Sequence, residues 1–83
     1  MKTNAVLREL GSEYSVRVID TERVVYRDFG VYDVEISGLD TRRAGCTVYV
    51  WEKSPTLHIA EIHDADSLKT LKAVLAKIEK FRD

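Results

Sequence analysis

Apolar and polar side chains alternate every second position through much of residues 14–63 and recur every third or fourth position after that, a switch that divides the chain into a sheet and a helix. Before it, residues 4–10 have room for about two helical turns. Asn4 is a candidate N-cap, Val6, Leu7 and Leu10 share one side, and Gly11 stands where the helix should stop. Tyr14, Val16 and Val18 then alternate with Ser15, Arg17 and Ile19 in a first strand. Asp20-Thr21-Glu22 carries turn chemistry, residues 23–27 return as a second strand, and Asp28-Phe29-Gly30 breaks it. Residues 31–37 alternate most cleanly: Tyr32, Val34 and Ile36 read as buried, and Asp33, Glu35 and Ser37 as solvated.

A glycine-bracketed loop, residues 38–45, leads into the hairpin of residues 46–63, and Arg42 and Arg43 sit at its tip. If residues 53–56 form the turn, Cys46 faces His63, Val48 faces Glu61, Val50 faces Ile59 and Glu52 faces Leu57. Thr47, Tyr49 and Trp51 then stand opposite Ile62, Ala60 and His58 on the other side. This register gathers Val48, Val50, Leu57 and Ile59 beside Tyr32, Val34 and Ile36, whereas a slip of one residue would exchange the faces of the second strand. After His63, Asp64 or Asp66 can cap a helix of about five turns, on which Leu68, Leu71, Val74, Leu75, Ile78 and Phe81 form one stripe. The expected fold is α+β: a meander of about five antiparallel strands, a short amino-terminal helix, and a long carboxyl-terminal helix packed on one sheet face.

With 83 residues and 45% hydrophobic content, the chain can build one core, so residues 1–83 are expected to form a single domain. The net charge of −1 is unevenly spread. Residues 65–83 carry five basic and three acidic side chains, whereas residues 12–64 carry six basic and ten acidic ones. The sheet therefore has the wrong sign for a nucleic-acid track. One cysteine excludes an internal disulfide and fits a reducing cytoplasm. No apolar run approaches the roughly 20 residues that would cross a bilayer, and no apolar signal core follows Met1.

Little in the sequence carries chemistry. A nucleophile reading pairs Cys46 with His63 across the hairpin, with Asp64 or Glu61 as orienting carboxylate, but a lone cysteine is commonly a small buried hydrophobe. As metal ligands, His58 and His63 are five apart on a strand, which points them to opposite faces. The glycines are scattered at turns and form no phosphate loop. No cofactor and no metal are expected.

The sheet face away from the long helix remains. Ile19, Tyr49, Trp51, Ala60 and Ile62 should meet there, with Arg17, Asp33, Glu35 and His58 between them. Aromatic and aliphatic side chains interleaved with charge are what a protein interface is made of. We therefore expect a non-catalytic protein-binding or homo-oligomerising module of inhibitor or adaptor type, using Tyr49, Trp51, Ile62, Ile19, Arg17 and His58, with Arg42 and Arg43 as a secondary contact. Two rivals follow from the same residues. One is single-stranded nucleic-acid binding, with Tyr49 and Trp51 stacking bases and Arg17, Arg27, Arg42 and Arg43 meeting phosphates. The other is a small cysteine-dependent enzyme. The face would serve neither partner if the amino-terminal helix folded across it through Val6, Leu7 and Leu10.

Overall fold

The computed structural model describes residues 1–82; Asp83, which enters the charge count above, lies outside them. The element order is α1 (Thr3–Leu10), β1 (Ser15–Ile19), β2 (Glu22–Asp28), β3 (Tyr32–Ser37), β4 (Cys46–Glu52), β5 (His58–Ala65) and α2 (Leu68–Arg82). Each strand pairs antiparallel with its chain neighbours in the order β1-β2-β3-β4-β5, which makes an α+β fold on a five-stranded meander. Ile19 pairs with Glu22, so only Asp20 and Thr21 form the first turn, at φ +50° and +67°. Two positive φ angles in succession make the mirror-image turn that suits the twist of a tight hairpin.

Directly opposed residues of antiparallel strands share a face, so the register sorts the side chains. One face carries Val25, Val34, Ile36, Val48 and Val50, and these form one cluster with Val6 of α1 and Leu71, Leu75 and Ile78 of α2. Both helices therefore cover the same face, and Glu9 of α1 meets Lys72 of α2 at 2.6 Å. The opposite face is left without a helix.

Both helix starts differ from expectation. Asp40, not Asn4, caps α1: its carboxylate accepts from the Thr3 backbone N–H at 2.9 Å and from Thr3 Oγ1 at 2.6 Å. The 38–45 loop is thus anchored, with Asp40 on the helix end and Leu39 in the core, while Arg42 and Arg43 remain exposed. At α2, Ser67 rather than Asp64 or Asp66 receives the Thr70 N–H, at 3.1 Å. Because β5 runs on to Ala65, the helix has 15 residues, about four turns. Phe81 falls outside its buried stripe, 73% exposed.

The β4–β5 register corrects the expected hairpin. Cys46 pairs with Ala65, Val48 with His63, Val50 with Glu61 and Tyr49 with Ile62, two residues away from the expected partners. A bulge then intervenes, so that Trp51 pairs with Ile59 and Glu52 with His58, leaving Ala60 as the extra residue. The bulge exchanges the faces of His58 and Ile59. Leu57 and Ile59, expected beneath the long helix, are exposed instead. Gly45 is required where this register brings the chains together, since a Cβ there would lie 2.5 Å from the Ala65 carbonyl oxygen.

Candidate protein-docking face

The helix-free face reads across the strands in rows. Ser15, Tyr26, Glu35, Tyr49 and Ile62 form one row, and Asp28, Asp33, Trp51 and Ile59 the next. Arg17 and Ile19 of β1 lie on the same side. Of the residues expected at an interface, Tyr49, Trp51, Ile62, Ile19 and Arg17 are thus brought onto one face. His58 is not: it sits across from Glu52 on the helix side, with Nε2 3.3 Å from Glu52 Oε1. Ile59, which the sequence reading assigned to the core, takes its place.

The role of β3 is not visible in strand alternation alone. Asp33 and Glu35 were expected to be solvated, yet they are only 6% and 7% exposed on a face that no helix covers. The cause is the register. Tyr26 and Tyr49 flank Glu35, while Trp51 stands across from Asp33, and these larger neighbours wall in the shorter carboxylates. All six residues of β3 are buried.

Each carboxylate is satisfied differently. Asp33 accepts from the Tyr26 hydroxyl and lies 3.1 Å from Lys53 Nζ, which also holds Asp28 at 2.8 Å. Lys53 and the Gly30 N–H draw the Asp28 carboxyl down to about 2, and the two aspartates raise the Lys53 ammonium above its ordinary range. Burial, and then the bond to Asp33, pushes the Tyr26 phenol well above its usual value. Glu35 has only neutral donors: Ser37 Oγ at 2.5 Å and Trp51 Nε1 at 3.1 Å. Among the described residues, no lysine, arginine or histidine forms an ion pair with it.

Over Glu35 the face opens into a groove of about 360 Å³, lined by the aliphatic Ile19 and Ile59, the aromatic Tyr49 and Trp51, and the acidic Asp20 and Glu22. Its lining contains three carboxylates and no basic side chain. Trp51 is half-buried, so part of the indole is available to a visitor, and Ile62 beside it is 62% exposed.

The other candidate chemistry is dispersed. Cys46 does not face His63, and burial pushes its thiol up, away from the thiolate. The bulge puts His58 and His63 on the same side, correcting the expectation of opposite faces. His63 is held by Glu61 at 2.8 Å, and Arg82 bridges Glu61 and Glu52 to fasten the end of α2 to the sheet. No group of three or more His, Cys, Asp or Glu among the described residues is placed to hold a metal ion. Of the four arginines considered for nucleic acid, only Arg17 lies on the face of Tyr49 and Trp51. Arg27 is on the helix side between Glu13 and Glu79, and Arg42 and Arg43 do not line the groove. No helix among the described residues is long and apolar enough to cross a membrane. Comparison with protein-family models, with curated proteins and with solved structures found no match for this chain.

Proposed function

We propose that this chain is a small non-catalytic protein-binding module, of adaptor or inhibitor type and working in the cytoplasm, whose helix-free sheet face receives a segment of a partner protein. The observation that carries the reading is the placement of both helices on one face, which leaves Tyr49, Trp51, Ile19 and Ile59 lining an open groove on the other, with the exposed Ile62 across from Tyr49 on the same face. Large rigid aromatics beside aliphatic side chains give much contact area for few frozen rotors.

Size and charge favour a segment of another protein over a second copy of this chain. Five strands about 4.8 Å apart and some six residues long give a face of roughly 500 Å², short of the roughly 800 Å² per partner in a standard interface. Two-fold packing of face on face about β3 would also bring Glu35, which has no cationic partner, against its own copy, placing like charges together in a desolvated seam. The acidic lining disfavours nucleic acid for the same electrostatic reason.

Site-specific photocrosslinking tests this. A benzoylphenylalanine residue is introduced at position 49 or 62, and at the exposed Lys69 on α2 as control. Discrete adducts are expected from 49 and 62 but not from 69, and they should disappear from the position-62 protein on Trp51→Ala with its circular dichroism unchanged. Adduct mass identifies a self-partner. Absence of adducts at 49 and 62, or equal labelling at 69, would overturn the reading.

A further inference from the structure

We infer that the partner segment carries an arginine, whose guanidinium is seated in the groove between Tyr49 and Trp51 and on Glu35. The inference rests on the docking reading above and names the chemistry that the face selects. Glu35 lies on the groove floor at 7% exposure with only neutral donors, Ser37 and Trp51, although each carboxylate oxygen has a second acceptor site. A carboxylate already walled in by its neighbours gives up little further hydration when a cation joins it, so pairing there costs less than at a fully exposed carboxylate. The neighbouring Asp33 already has Lys53 at 3.1 Å, so of the two buried carboxylates of β3 it is Glu35 that lacks a cationic partner. Asp20 and Glu22 extend the negative lining to the rim, although Glu22 already accepts the Gly38 N–H at 2.7 Å.

The walls favour guanidinium over ammonium. A planar guanidinium stacks on an aromatic ring while donating along its edge, whereas ammonium is a compact, strongly hydrated point charge. The same face already holds a guanidinium over a ring: that of Arg17 lies 3.9 Å from the centre of Tyr26, on the strand next to Glu35. Ile19 and Ile59, which also line the groove, suit apolar residues two positions to either side of the arginine on an extended segment, where alternate side chains share a face. The visitor is therefore a short extended stretch with an arginine at its centre and apolar residues two positions before and after it.

Trp51 is the only tryptophan in the chain, so its emission reports on the groove directly. The probe is the blocked pentapeptide acetyl-Ile-Gly-Arg-Gly-Ile-amide, whose isoleucines share the arginine's face when extended, compared with the same peptide carrying neutral citrulline or lysine in place of arginine. The arginine peptide should change Trp51 emission saturably, with a Kd on the order of 0.1 to 1 mM. Binding should weaken as salt is raised, as expected for charge pairing in a groove open to solvent. The citrulline peptide and Glu35→Gln should each weaken binding tenfold or more, and lysine should fall between arginine and citrulline. Should Glu35→Gln fail to fold, Asp20→Asn on the exposed turn takes its place, with a two- to threefold loss expected.

Equal binding of the citrulline peptide, unchanged affinity in a folded Glu35→Gln, or no saturable change with arginine would each overturn the inference. Crosslinks at positions 49 and 62 together with a failed arginine titration would leave the docking face standing and remove arginine as its ligand. Absence of both would remove the docking face as well.

Discussion

At Thr21 the backbone is held at φ +67°, a region where a β-branched side chain crowds the neighbouring peptide. The two-residue turn between β1 and β2 demands that angle, and glycine satisfies it without strain. Thr21→Gly is therefore expected to stabilise the fold by about 1 kcal/mol. The melting midpoint should then rise by about 4 to 8 °C for a domain of this size. A lower midpoint would mean that the turn carries no strain. Tyr26 gives a second expectation. Its phenol is raised above the ordinary value, first by burial and then by Asp33, and burial raises Tyr14 as well. A group raised on folding stabilises the native state below its unfolded pKa, near 10 for tyrosine, and that contribution is lost as pH climbs toward the folded value. Native tyrosinate absorbance should lag behind that of the urea-unfolded chain, and the melting midpoint should fall above about pH 10. Coincident titration curves would contradict the burial of these phenols. The alternation of residues 31–37 placed Tyr32, Val34 and Ile36 correctly in the core, but it could not reveal that Asp33 and Glu35 are buried too. Their burial comes from the Tyr26, Tyr49 and Trp51 side chains on adjacent strands, and strand alternation alone does not say which residues stand opposite.

Among the elements, α1 depends most on a distant partner. Eight residues are too few for an isolated helix in water, and no side chain of its own caps it. Asp40, 37 residues away, supplies the cap. Asp40→Ala is expected to cost about 1 kcal/mol, with amide exchange quickening in α1 before it quickens in β3 and β4. Uniform acceleration, or none, would place the anchor elsewhere. Local cap rules pointed to Asn4 because they look one residue ahead of a helix, and a cap contributed by a loop has no local signature. The strands were legible because their alternation is long and bounded by turn residues. The bulge at Ala60 was not, since one extra residue leaves the hydrophobic pattern of the rest of β5 unchanged. It exchanged Ile59 and His58 between faces and so changed the membership of the helix-free face by one residue each way.

At the scale of the whole molecule, the distribution of its two helices matters most. With both on one side, the core is closed by Val6, Leu71, Leu75 and Ile78, and the reverse of the sheet is left aromatic, partly exposed and acidic. Tyr49, Trp51, Ile19 and Arg17 could be placed on that side from strand alternation. Whether α1 would cover them depended on how the 38–45 loop docks, which the residue pattern does not encode. The central claim is therefore that Trp51 lines an open, electronegative groove. Quenching of its emission by paired ions tests this most directly, because the chain has one tryptophan. Each quenching constant is divided by that for free N-acetyltryptophanamide, and the two ions are compared at equal ionic strength. Caesium is expected to quench Trp51 more effectively than iodide, with the difference shrinking in Glu35→Gln and at high salt. Protection from both ions, or a preference for iodide, would contradict an open acidic face.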